Sequence, residues 1–239
     1  MLGAKLLAAS FSQDKTLTFV GATTAATPSG GSAWSMNIDN LTGGIDTAPK
    51  AGDFVLVFYA AASTTNLDLS VTTSGYTETH DLYSNATYDA NLSINYKFLS
   101  TDETSIDLSS TTSNSNGGAV VVMVWRNVDT TTPFDVTTTT ATGIDTTRPN
   151  PPSITPVTTG AKIIAVGCGA SSGAVDSFSA PTSFTTLYQI NATDTNGIRV
   201  GAGFRDWTSG AYDPPQWNGE TATGDSWIAA TLAIRPRQD

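Results

Sequence analysis

The sequence predicts an all-β protein, a two-sheet antiparallel β-sandwich of jelly-roll-like form, and three observations predict it. Hydroxyls take the place of charge: there are 40 Thr and 24 Ser against 5 Lys and 3 Glu, and charged residues make up 13% of the 239, about half the usual share of roughly 25%. Lys and Glu favour helices, whereas Thr favours pleated, half-exposed strands. Apolar residues come in runs too short for buried helices, rich in β-branched side chains or bounded by Gly. The same order of runs recurs along the chain.

Two kinds of strand are legible. Leu92, Ile94, Tyr96 and Phe98 alternate with Ser93, Asn95 and Lys97, the pattern of a strand with one wet face. Leu67, Leu69 and Val71 alternate with Asp68 and Ser70 in the same way. Four runs are continuously apolar: 54–62 (FVLVFYAAA), 119–125 (AVVVMVW), 162–170 (KIIAVGCGA) and 227–234 (WIAATLAI). Such runs read as strands whose sheet is covered on both faces.

A shift of 108 residues lays the first half on the second without a gap. Gly52 falls on Gly160, Val55 on Ile163, Leu92 on Val200, Tyr96 on Phe204, Val120 on Ile228 and Val124 on Leu232. The reading is an internal duplication, with half-repeats 50–126 and 158–234 each supplying one sheet of a single domain, 50–239. The stretch 127–157 is a crossover, held extended by Pro149, Pro151, Pro152 and Pro156. Residues 1–49 stand outside the repeat and form an N-terminal arm or an edge strand. As an arm they would reach a partner through Phe11, Leu17, Phe19 and Trp34. Cover for the outer faces of the apolar strands comes either from this segment or from a neighbouring subunit.

Composition narrows the function classes. The net charge is −10 and no cluster of Lys or Arg occurs, which argues against nucleic acid and against anionic membrane surfaces. No apolar run reaches membrane-spanning length, and the apolar stretch at the start of the chain is too short for a signal peptide. Synthesis in the cytoplasm is the expectation. The single cysteine, Cys168, excludes an internal disulfide and a cysteine-based zinc site. The single histidine, His80, lies between Glu78 and Asp81 and reads as a surface residue. No carboxylate pair, nucleophile elbow or phosphate loop is apparent, so catalytic residues, metal and cofactor are all expected to be none. Asp194, Asn196 and Gly197 form a fragment of a calcium loop that a hairpin turn explains better. The sequons at Asn40, Asn85, Asn91 and Asn191 are expected by chance in so hydroxyl-rich a chain. Trp207, Tyr212 and Trp217 lie in a polar, Pro-bearing segment. They are candidates for stacking on sugars, or else rings that plug one end of the sandwich.

The order of these features resembles a known family. Ala51-Gly52-Asp53 precedes an apolar strand, and Gly75-Tyr76-Thr77 follows. A long alternating strand ends in Tyr96-Lys97. A strand led by Gly117-Gly118 runs into Trp125-Arg126-Asn127-Val128-Asp129, and Thr132-Pro133-Phe134-Asp135 comes after it. The last strand closes on Ile234-Arg235-Pro236. Over about residues 50–236 this resembles β-sandwich proteins of tailed bacteriophages, also found as modules of bacterial secreted proteins. The resemblance implies a non-enzymatic structural protein on a virion surface, a capsid decoration or cement protein or a small tail component. It would be built in the host cytoplasm, and its partners would be major capsid or tail subunits and further copies of itself. The alternative is a carbohydrate-binding module or adhesin that recognises surface glycans through the Trp207–Trp217 segment.

Overall fold

The computed structural model describes residues 16–27, 32–111, 117–144, 148–171, 179, 181–184, 186–192, 197–217 and 225–238. Its thirteen strands are β1 (Thr18–Thr27), β2 (Ala33–Asn37), β3 (Phe54–Ser63), β4 (Leu69–Val71), β5 (Thr77–Ser84), β6 (Asp89–Phe98), β7 (Ser105–Ser110), β8 (Gly118–Arg126), β9 (Thr139–Ile144), β10 (Lys162–Ser171), β11 (Thr186–Ala192), β12 (Gly197–Asp206) and β13 (Ser226–Ile234). Every ladder is antiparallel. Two five-stranded sheets, β1-β8-β3-β6-β5 and β11-β12-β10-β13-β9, face one another, and a three-stranded sheet, β2-β7-β4, forms a further layer. The all-β sandwich expected from the sequence is the fold observed.

The continuously apolar strands lie at the centre because each supplies a different layer with its odd and even residues. Phe54, Leu56, Phe58 and Ala60 of β3 meet Ile164, Val166 and Cys168 of β10 between the large sheets. Val55, Val57 and Tyr59 point the other way, onto Met36, Ile38, Leu69 and Leu108 in the layer beneath the small sheet. Cover for the outer face of the first sheet therefore comes from the chain itself, in part from its N-terminal segment. On the second sheet the outward residues Ile163, Ala165 and Ala233 lie under Ile154 and Phe184, with Trp207 and Tyr212 packed alongside. Burying an aliphatic side chain contributes about 1.5–3 kcal/mol, so doubly covered strands concentrate the stabilising contacts of the molecule.

Four details depart from the sequence reading. First, residues 18–27 are not an arm but an edge strand, the other of the two readings of this segment: β1 lies at the edge of its sheet, paired with β8 from Thr18↔Arg126 to Thr27↔Gly118. Its bulge at Phe19/Gly21 turns Val20 to the small-sheet side while Phe19 keeps the inter-sheet side. Gly21 takes φ 155°, and a Cβ there would stand 2.8 Å from Leu41 Cβ, so glycine is required. Second, the polar face of β6 is not wet. Asn91, Ser93 and Asn95 are buried, and Asn91 repays its burial by accepting from Leu67 N at 2.8 Å. Third, β2, β7 and β9 carry no strong apolar signal, and β9 sits inside the expected crossover.

The fourth departure concerns the 108-residue register. The two large sheets share a strand order, with β8, β3, β6 and β5 matched by β13, β10, β12 and β11. Leu56↔Tyr96 and Ile164↔Phe204 are equivalent pairs, and both rings pack on the inter-sheet core. Gly52 and Gly160 have φ of 91° and 86°. In the last strand, however, Val55 pairs with Val124 while Ile163 pairs with Ala233, not Leu232. A one-residue slip exchanges the faces of a strand. Val120 and Val124 accordingly face the small sheet, whereas Ile228 and Leu232 face the inter-sheet core. The gapless alignment fails there. The shared order is a likeness of arrangement, and the duplication of the sequence remains a proposal.

Two substitutions and a truncation test this packing. Val122, fully buried beneath the small sheet, replaced by Asp would bury an unpaired carboxylate at a cost of several kcal/mol, and Val122→Asp is expected to be insoluble or unfolded by circular dichroism. Gly167 lies beneath Trp217, where an added Cβ would approach Cδ1 to 2.6 Å. Overpacking of about 1–3 kcal/mol should lower the Tm of Gly167→Ala by roughly 2–4 °C per kcal/mol in a thermal melt. Removal of residues 1–35 takes away β1 with its whole β8 ladder, so the truncated chain is expected to show no cooperative melt.

Candidate functional site

Of the three rings that are candidates for stacking on sugars or for plugging one end of the sandwich, the structure keeps one at a cavity. Trp217 is fully buried and lies over Gly167, covering the outer face of β10. Tyr212 is half-buried; it exchanges backbone hydrogen bonds with Ile154, lies 6.1 Å from Phe184, and carries the Arg205 guanidinium 4.1 Å above its ring. Both rings serve as cover for the second sheet, as the doubly apolar β10 requires. Trp207 is different. It too flanks the outer cluster, but it also lines a cleft of about 490 Å³ together with Leu17, Lys162, Asp206, Pro236 and Gln238.

The cleft lies at one end of the sandwich, where β10 begins and β12 ends. Lys162 and Asp206 are cross-strand partners joined by an ion pair. They continue the series Ile164, Val166 and Phe204, Ala202, which face the inter-sheet core. Two charges therefore occupy core-facing register positions. The Asp206 side chain is 74% exposed and that of Lys162 20%. Trp207 N donates to Ala161 O at 3.1 Å, and its indole Nε1 donates to Gly210 O at 2.9 Å. The ring is thus fixed with its polar atom satisfied. Two residues inward, Phe19, Trp125 and Phe204 form a closed triangle with ring centroids 4.6–4.9 Å apart, a rigid support for the cleft.

The corresponding end of the first sheet is built differently. Its turn is the same: Asp53 N to Lys50 O matches Ala161 N to Thr158 O, and Leu99 N to Asp53 O matches Trp207 N to Ala161 O. At the core-facing pair stand Phe54 and Phe98, 4.9 Å apart, and Phe134 packs on Phe54 and on Tyr96. Asp53 is held by Arg126 through two hydrogen bonds of 2.7 and 2.9 Å. A hollow of about 190 Å³ lies beside them. Apolar closure at one mouth and an ion pair with a tryptophan at the other distinguish the two ends.

The remaining candidates fall elsewhere. Leu17 is buried against the inter-sheet core, Phe19 belongs to the aromatic triangle, and Trp34 is half-buried against Tyr59, to whose hydroxyl its Nε1 donates at 3.3 Å. These expected anchors for a partner are thus engaged within their own chain. Phe11 lies outside the described residues, as do Asp194 and Asn196 of the calcium-loop fragment. Asn91 is fully buried. Cys168 is buried, which pushes its thiol up to about 12. Among the described residues no three His, Cys, Asp or Glu side chains are grouped to hold a metal, and no helix is long and apolar enough to cross a membrane.

His80 lies on β5, an edge strand, with Nδ1 3.1 Å from Thr79 Oγ1, and burial lowers its pKa. Burial first, then the Asp81 and Asp68 carboxylates, raises that of Glu78, and burial followed by Asp68 raises that of Asp81. A carboxyl raised in the folded state binds its proton more tightly there than in the unfolded chain. Its contribution is then favourable at low pH and is lost as pH rises through the folded value. Glu78→Gln is therefore expected to raise the Tm at about pH 7 and to leave it unchanged at about pH 3, read from melts of both proteins at the two pH values.

Comparison with protein-family models, with curated proteins and with solved structures gives no match to this chain.

Proposed function

We propose that this chain is a non-enzymatic structural protein of a tailed-phage virion, exposed on the particle surface as a capsid decoration (cement) protein or a small tail component. The observation that supports this reading best is that a single chain covers both faces of its central apolar strands. The first sheet is closed by β2-β7-β4 and the second by the segments carrying Phe184, Trp207, Tyr212 and Trp217. Such a unit is a self-contained knob. Its Thr-rich composition and net charge of −10 suit a part that stays soluble before assembly. The sequence resemblance over residues 50–236 points the same way. Major capsid or tail subunits are the proposed partners, together with further copies of the chain. Because Leu17 and Phe19 are committed to the sandwich, the attachment surface is sought on the sandwich rather than on a free arm.

Immunogold electron microscopy checks the reading. Particles from lysates of cells carrying this gene, probed with antibody raised against the purified chain, are expected to carry label on the capsid or the tail. Particles that are uniformly unlabelled, with the chain left in the soluble fraction, overturn it.

A further inference from the structure

We infer that the cleft at the Lys162–Asp206 mouth is a binding site for a short saccharide. The inference does not rest on the virion reading, since a sugar site is compatible with a capsid, a tail or a free protein. It starts from the asymmetry of the two mouths. Phe54 closes the first with aromatic contacts to Phe98 and Phe134, each worth about 0.5–1.5 kcal/mol beyond burial. Lys162 and Asp206 replace that closure with an ion pair whose carboxylate partner is largely exposed, and such pairs return little stability. The second mouth gives up packing and gains a cavity. Local departures of this kind, where the turn and the β3–β6 and β10–β12 pairings are otherwise the same, mark functional positions.

The lining states the ligand class. Trp207 has its only polar atom engaged by Gly210 O, so what it offers an occupant is carbon surface, and Leu17 and Pro236 add to it. A sugar ring presents matching C–H groups. Around this surface stand the Asp206 carboxylate, the Lys162 ammonium and Gln238, whose Nε2 donates to Pro236 O at 2.7 Å, a mixture of polar groups that can orient hydroxyls. Lys162 and Asp206 pair with each other, and Arg237 adds a second cationic side chain to the lining. The volume of about 490 Å³ falls within the roughly 300–1,000 Å³ of small-molecule sites. The ring and the ion pair are held by strand ends and backbone bonds, so little ordering remains to be done on binding.

The test uses the full chain and named probes: the methyl glycosides of glucose, galactose, mannose and N-acetylglucosamine, and disaccharides of the same sugars. Saturation-transfer NMR and tryptophan fluorescence report binding, and a thermal melt accompanies each variant. At least one probe is expected to bind, with Asp206→Ala and Trp207→Ala each weakening it by about tenfold or more. Tyr212→Ala, outside the cleft, is expected to leave the affinity within about twofold. Asp206 is exposed enough that its variant keeps the test open even if Trp207→Ala does not fold. Failure of every probe to bind overturns the inference, as does binding that survives Asp206→Ala in a folded protein.

Discussion

Every layer of this molecule answers one constraint: β3, β8, β10 and β13 are apolar on both faces. A strand of that kind loses its stabilising burial wherever one face meets water. Between the large sheets the inward residues of all four meet one another. The outward residues of β3 and β8 need a third layer, and β2, β4 and β7 supply it with only Met36, Leu69, Ile106, Leu108 and their neighbours. The outward residues of β10 are smaller, Ala165 and Gly167 among them, and a sheet is not needed there. The irregular segments carrying Phe184, Tyr212 and Trp217 suffice, because a glycine at 167 lets an indole lie directly on the strand.

The same constraint explains what was legible in the sequence. Runs such as FVLVFYAAA and AVVVMVW state the strands and their double burial outright, and both are found where they were read. The covering elements are harder to see because they are half-exposed by design. SIDLSS has two apolar residues and TTATGI has one Ile, which falls on an exposed position. Their place is set by the sheet they serve, and no local pattern announces it. Ser93 and Asn95 misled for a related reason. Alternation records chemistry on a face, and a polar face can be buried when its hydrogen bonds are made inside.

Register was the least legible feature. A pattern shift of 108 residues preserves the order of runs, and it holds for β3 against β10 and β6 against β12. In a strand that is apolar at every position, a slip of one residue leaves the pattern intact while exchanging its faces. WIAATLAI reads equally well either way. Only the pairing of Ile163 with Ala233 decides that Leu232 faces the other large sheet and Ala233 the outer cluster. Double burial thus makes a strand easy to recognise and hard to place in register.

The candidate site was half legible for a similar reason. Trp207, Tyr212 and Trp217 stood out as aromatics in a polar segment, but composition cannot tell a ring that covers a sheet from one that borders a cavity. What separates them is their neighbours. Gly167 leaves a bed for Trp217, Arg205 lies on Tyr212, and Trp207 follows directly on Asp206 at the end of β12. The informative signal was in the letters at Lys162 and Asp206, where the matching positions of the first half are Phe54 and Phe98. Only the parity that puts 162 in line with Ile164, and 206 in line with Phe204, turns those letters into charges at the mouth of a core. Exchanging an aromatic pair for an ion pair at that position gives up closure of the sandwich and leaves a supported cavity open to solvent.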